Sequence, residues 1–273
     1  FREKIAGGRW QVVQLDNRFL ENQLPLKKHS YEPPEGRGWA DPFLVESENT
    51  LFLFMEEIVA GKGRIVVAPV DPKNGYLQDM PAPVLEQSGH LSYPFVFKVG
   101  DAWYMLPESS ASEELCIYRA REFPYEWEPY RTVFSGEQWV DTTPFFHNGQ
   151  WWIFSVCKPV AYASSYQDLH LFYCTNILED QWQPHPLNPV VSDVRHARPA
   201  GRLFFYGEKL YRPAQNCLDI YGGGVQLCEV TALSESAYEE RVVKTIDYPW
   251  YSRRSSLHTL TRAGEVVIGD CFL

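Results

Sequence analysis

Helical signal is almost absent from these 273 residues. The best candidate, residues 234–243, carries Ala and Glu but is short. No apolar run approaches the ~18 residues of a membrane-crossing helix, and no signal-peptide pattern is present, so neither a span nor a targeting segment is expected. The chain opens at Phe1 rather than Met, as a processed chain or an excised domain does. The six cysteines, Cys116, Cys157, Cys174, Cys217, Cys228 and Cys271, form no C-x-x-C pair. Each lies in or beside an apolar run, the pattern of buried free thiols rather than disulfides or metal ligands; this leans to a reducing, cytoplasmic location.

Basic charge is also scarce. Lys and Arg number 25 against 35 Asp and Glu, a formal net charge of -10 spread along the chain, so nucleic acid finds no basic face. No G-x-S-x-G, H-E-x-x-H, phosphate-loop or dinucleotide motif occurs. Gly222-Gly223-Gly224 follows Tyr221 between two β-runs without a helix behind it, which reads as a hairpin rather than a phosphate cradle. His170, His185 and His196 lack metal-ligand spacing, and no cofactor is expected.

What is present is aromatic and repetitive. Aromatic residues make up 15% of the chain, a composition that suits both strands and sugar-binding walls. A strand, a turn and an aromatic second strand recur: Asp41-Pro42-Phe43 before Leu51-Phe52-Leu53, Tyr93-Pro94-Phe95 before Trp103-Tyr104-Met105, and Asp141-Thr142-Thr143 before Trp151-Trp152-Ile153. Arg198-Pro199-Ala200 before Leu210-Tyr211-Arg212 and His258-Thr259-Leu260 before Val266-Val267-Ile268 continue the series. Copies fall roughly every 50 to 60 residues, the length of a four-stranded propeller blade. The prediction is one all-β domain, a five-bladed β-propeller with blades near 39–75, 90–134, 139–183, 196–243 and 255–273. Residues 9–15 complete the last blade and close the ring, which leaves no long open edge. An irregular β-sandwich is the alternative.

In a propeller the starts of the innermost strands converge on one mouth of the axis. Asp41, Ser92 with Tyr93, Asp141, Arg198 and His258 occupy those starts. Glu56, Glu57, Glu108, Arg212, Gln215 and Asp270 stand on the strands beside them. Carboxylates, guanidinium groups and an imidazole in one pocket would shift one another's pKa values. Each also has a structural reading: Asp41 before Pro42 as a turn starter, Asp141 bonded to Thr142 and Thr143, the arginines as partners of the acids, His258 as a satisfied core histidine.

At Asp41-Pro42, Asp141 and His258 the pattern resembles the five-bladed superfamily that includes glycoside hydrolase families 43, 32 and 130. Longer strings, His90-Leu91-Ser92-Tyr93-Pro94-Phe95, Tyr104-Met105-Leu106-Pro107-Glu108, Arg198-Pro199-Ala200-Gly201 and Arg212-Pro213-Ala214-Gln215, resemble the N-terminal propeller of glucosamine inositolphosphorylceramide transferases and its bacterial relatives. The first resemblance implies Asp41 as base and Asp141 as the residue that tunes the acid. Where family 43 carries its acid Glu in blade four, this chain has Arg198, so Glu108 becomes the expected acid, on the inverting scheme.

Tyr93, Arg198, Arg212, Gln215, His258 and Glu57 are the expected substrate contacts, with Trp139 and Tyr162 as further aromatic walls. The arginines point to an anionic or phosphorylated glycan. Three functions follow: a glycoside hydrolase, a glycosyltransferase or domain joined to a transferase, and a non-catalytic glycan-binding module.

Overall fold

The computed structural model describes residues 9–246 and 257–272, apart from 22, 24, 110, 111 and 159–163. In chain order the strands begin with β1 (Trp10–Leu15) and β2 (Lys27–Tyr31), joined by a 3-10 turn at Asn17–Glu21. Blade one holds β3 (Arg37–Ser47), β4 (Thr50–Val59), β5 (Lys62–Val70) and β6 (Ala82–Leu85). Blade two holds β7 (Ser92–Val99), β8 (Ala102–Glu108), β9 (Glu114–Glu122) and β10 (Glu126–Ser135). Blade three runs through β11 (Gln138–His147), β12 (Gln150–Lys158) and β13 (Asp168–Cys174) to the short β14 (Gln183–Pro184) and β15 (Val191–Ser192). Blade four holds β16 (Phe204–Tyr206), β17 (Lys209–Gln215), β18 (Val225–Leu233) and β19 (Tyr238–Ile246). Blade five pairs β20 (Leu257–Ala263) with β21 (Val266–Phe272) and takes β1 and β2 as its outer strands.

The molecule is thus an all-β, five-bladed propeller, and the N-terminal strand closes it: β1 runs antiparallel to β21 from Trp10↔Phe272 to Leu15↔Val267. Two elements depart from the expectation. The Lys27–Tyr31 strand is polar in sequence and gives no strand signal, yet it pairs with β1 from Val12↔Tyr31. The helical candidate 234–243 is a tight turn followed by β19; Ser234 donates to the Ala237 carbonyl at 2.9 Å, and the Ala237 amide donates back to Ser234 Oγ at 3.1 Å. A serine that can satisfy a turn in this way competes against a helix start.

Apolar residues are packed between blades. Phe43 and Phe54 of blade one meet Phe95 and Leu106 of blade two and Ile153 of blade three. Val12, Val266 and Ile268 meet Leu53 and Met55 across the blade five to blade one seam. Each buried Phe or Leu contributes about 1.5–3 kcal/mol. Because inner strands are covered on both faces, β3 is buried at eight successive positions, Gly38 to Val45. All six cysteines are free thiols, and Cys174, Cys228 and Cys271 are buried.

Candidate active site

Three inner strands carry the same irregularity at the axial mouth. The ladder slips between Ala40 and Phe43 in blade one, Ser92 and Phe95 in blade two, and Val140 and Thr143 in blade three. At each slip one residue turns left-handed: Asp41 (φ 50°), Tyr93 (φ 47°) and Asp141 (φ 47°). Blade five slips at the matching place, between Leu257 and Leu260. A bulged residue loses its ladder partner, so its buried amide needs another acceptor. In all three cases a carboxyl group of the preceding blade supplies it. Asp270 accepts from the Asp41 amide at 2.9 Å, Asp41 from the Tyr93 amide at 3.2 Å, and Glu108 from the Asp141 amide at 3.0 Å.

The same side chains continue round the axis. Arg198 Nε donates to Asp141 Oδ2 at 2.6 Å, and Gln215 Nε2 donates to that oxygen at 2.6 Å. Arg198 Nη2 lies 3.3 Å from the Tyr221 hydroxyl, which is 2.6 Å from His258 Nε2. His258 Nδ1 faces two carboxylates, Asp270 Oδ2 at 3.1 Å and Asp41 Oδ1 at 3.3 Å. Asp270 Oδ1 is fixed by Thr259 N and Oγ1, each at 2.7 Å. Carboxylates only accept, so the His258 proton sits on Nδ1; in the neutral ring Nε2 then accepts from the Tyr221 O–H.

Below this ring the axis is filled. The buried Tyr93 hydroxyl reaches from blade two to Thr143 Oγ1 at 2.8 Å and accepts from Gly201 N at 2.7 Å. From blade four Arg202 returns to the Val96 carbonyl at 2.6 Å, its guanidinium 4.3 Å from the Phe95 ring centre. The ring is therefore closed on one side by Tyr93 and Arg202.

Burial, and after it the Asp141 charge, pushes the half-buried Glu108 carboxyl up to about 8 against the opposing pull of Arg198. The protonated form of Glu108 is thus favoured into the neutral range. Burial works against the Arg198 charge, but Asp141, Tyr221 and Glu108 more than offset it and hold the guanidinium protonated well above its usual range. Asp41, His258 and Asp270 bring one ligand atom each within 4.8 Å and are the residues that could hold a cation; as they stand, the His258 Nδ1–H fills the gap between the carboxylates.

Of the residues expected at the site, Asp41, Glu108, Asp141, Arg198, Gln215 and His258 come together. Tyr93 also joins, as floor rather than wall, because it is 0% exposed. Arg212 does not join. It is 0% exposed and clamped in blade four by Glu240 at 2.7 and 2.8 Å and by the His196 carbonyl at 2.6 Å. Glu57 is likewise turned to Arg37, Arg64 and the Trp39 indole at 3.0, 2.6 and 3.2 Å. Trp139 packs on Phe134 and Phe172 within the blades, and Tyr162 lies outside the described residues.

Tyr221 is the member that sequence reasoning missed. The glycine triplet behind it was the only signal, and Gly222 (φ +64°) comes so close to His258 that a Cβ would meet its ring at 2.9 Å.

A sequence model of the family "Glucosamine inositolphosphorylceramide transferase 1, N-terminal" matches residues 34–255. Glucosamine inositolphosphorylceramide transferase 1 of Oryza sativa subsp. japonica is 35% identical over 205 residues, 74% of this chain but only 27% of that protein. The chain therefore spans about a quarter of the length of the relatives it matches. Among solved structures, an α-L-arabinofuranosidase of Podospora anserina in complex with cellotriose superposes with a TM-score of 0.61 at 12% identity, covering 86% of this chain and 80% of that one. A family-43 β-1,3-galactosidase superposes with a TM-score of 0.59 at 12% identity, covering 79% and 81%. At such identities the likeness is one of fold, a glycoside hydrolase-like propeller. The match over most of its length places the chain in the family of the N-terminal domain of glucosamine inositolphosphorylceramide transferase 1.

Proposed function

We propose that the axial ring, once opened, binds a sugar and acts on a glycosidic bond in a single displacement. Glu108 gives its proton to the leaving oxygen. His258 Nε2, backed by Asp41 and Asp270, takes the proton of the attacking hydroxyl as that oxygen bonds the anomeric carbon and the old C–O bond breaks. One displacement inverts the anomeric centre. Asp41 acts through His258, since its own oxygens face the Tyr93 amide and His258. The observation that carries this reading is the placing of Glu108, a half-buried carboxyl that accepts from the Asp141 amide at 3.0 Å, its protonated form favoured by burial and by the Asp141 charge, on a ring whose other acids are buried.

Arg198 is already committed to Asp141. The ring thus suits the hydroxyls of a sugar, and a phosphoryl-bearing remainder of the substrate would lie outside it. Turnover of aryl glycosides, or transfer from an activated sugar, tests the reading. Wild type turns over and Glu108→Gln does not; equal turnover by both overturns it.

A second reading has its own support. The family's name is that of a transferase of which this propeller is only 27% by length in the rice protein. The ring then holds a glycan for a transferase domain, as a binding module. Sugar binding without turnover, unchanged in Glu108→Gln, would favour it.

A further inference from the structure

His258 Nε2 and Arg198 Nη2 converge on one point, and Tyr221 already stands there. His258 is 0% exposed and Arg198 is 7% exposed, so no ligand reaches that point with Tyr221 in place. One converging group is an acceptor and the other a donor. A hydroxyl satisfies both; a carboxylate or phosphate oxygen would meet the lone pair of His258, and an ammonium would meet the charge of Arg198.

The segment that carries Tyr221 closes on itself as a loop. Its two ends are tied by Asn216 N to the Gly224 carbonyl at 2.7 Å and Gly223 N to the Asn216 carbonyl at 3.0 Å. Its tip is exposed, with Leu218 at 59% and Ile220 at 39%. Inward it is held at its start by Cys217, whose amide donates to the Val194 carbonyl at 2.9 Å. Beyond that it is held by the Tyr221 side chain, through the two hydroxyl contacts, the Arg198 guanidinium 4.9 Å from its ring centre, and ring contacts with His258 at 4.8 Å, Tyr166 at 5.8 Å and Trp10 at 6.2 Å. Gly222 and Gly224 have positive φ, and Gly223 between them adds no side chain.

We infer that Tyr221 is a built-in occupant of the site: its hydroxyl holds the place of a ligand hydroxyl between Arg198 and His258, and the 218–224 segment, beyond the Cys217 anchor, swings out to admit the ligand. The inference rests on the proposed sugar site for the identity of the ligand. The hydroxyl subsite itself stands on the geometry. In Tyr221→Phe the ring stays but both polar contacts are lost, the segment opens more readily, and a sugar no longer competes with the phenol. Its apparent Kd falls by about tenfold, the factor by which the closed state had been favoured.

Two measurements test this. In the first, Tyr221→Ala is titrated with phenol and with benzene while its melting temperature is followed. Phenol is expected to stabilise it by several degrees, benzene and wild type showing no comparable shift; equal shifts with phenol and benzene overturn the hydroxyl subsite. In the second, glucosamine and myo-inositol are titrated into wild type and Tyr221→Phe, with hydrogen exchange read over 218–224. Tighter binding by Tyr221→Phe and faster exchange of this segment in the bound wild type support the inference. Weaker binding by Tyr221→Phe, or slower exchange on binding, makes Tyr221 a ligand contact and overturns it. Selective phenol binding without binding of either sugar keeps the hydroxyl subsite and removes the sugar-site reading.

Discussion

The Asp141 amide donates to Glu108 Oε2 at 3.0 Å, while the Glu108 carboxyl is pushed up to about 8 by burial and by the Asp141 charge. One oxygen thus serves the fold and leaves the other to carry a proton. Glu108→Gln keeps an acceptor for the amide and removes the acid. Below the ordinary carboxyl range, where Glu108 is protonated in both states, stability is expected to stay within about 1 kcal/mol, and turnover at neutral pH to fall by about 10²- to 10⁴-fold. Glu108→Ala also strands the amide and loses about 1–3 kcal/mol. Urea unfolding beside a turnover assay separates the two.

The same shift has a definite pH signature. The native Glu108 carboxyl, at about 8 against an ordinary 4.5, binds its proton more tightly than the unfolded chain does. Its contribution to stability is therefore complete below the ordinary value and is lost as pH rises towards 8. Urea titrations from pH 5 to 9 are expected to show a decline that flattens in Glu108→Gln. In the proposed mechanism kcat/KM also falls above about pH 8. An unchanged slope in the variant would remove the basis for both expectations.

Arg198 and Arg212 are both buried arginines with different duties. Arg198→Ala leaves the Asp141 carboxylate without its cation and is expected to cost about 3–5 kcal/mol. Asp141→Asn in the same chain should restore part of that loss and none of the sugar binding. Arg212→Ala strands Glu240 at similar cost, but the folded fraction should bind sugar as wild type does. Denaturation and calorimetric binding on the three variants make the comparison.

Glu240 runs opposite to Glu108 with pH. Burial alone would raise it, yet Arg212, His196 and Tyr238 lower it to about 2. Its contribution is present above the ordinary carboxyl range and is lost as pH falls towards 2. Glu240→Gln is expected to reduce the acid sensitivity between pH 5 and 2, read by far-ultraviolet circular dichroism.

Gly201 is irreplaceable where Gly100 is not. With φ +128°, a Cβ there would lie 2.0 Å from the Leu260 carbonyl oxygen, and the Gly201 amide anchors the Tyr93 hydroxyl. Gly201→Ala is expected to prevent folding or to lower the melting temperature by more than about 10 °C. Gly100→Ala, with φ +58° and open space around it, should cost about 1 kcal/mol.

The repeat made the fold legible. Strand, turn and second strand recur five times, with Gly100-Asp101 and Asn148-Gly149 marking two of the turns, and the N-terminal run Trp10–Leu15 was recognisable as the missing strand. The polar strand Lys27–Tyr31 was not, because an outer strand needs little apolar signal when its partner is covered from the other side. Within the site, Asp41, Tyr93, Asp141 and His258 were legible from their common place at the inner-strand starts. Their backbone role was not, since a left-handed Tyr93 leaves no trace in composition. Arg212 and Glu57 misled because strand alternation does not reveal that other strands of the same blade supply the counter-charge, Glu240 for Arg212 and Arg37 with Arg64 for Glu57. Tyr221 was hidden for the opposite reason: it comes from a loop outside the repeat.

The central claim is that the axial ring is the place where a sugar is held and acted on. A crystal soaked with a glucosamine glycoside tests it most directly. The account predicts a sugar ring within hydrogen-bond reach of Glu108 and His258, with Tyr221 displaced from between Arg198 and His258. Sugar bound elsewhere on the propeller, with the Arg198–Tyr221–His258 contacts intact, would contradict it.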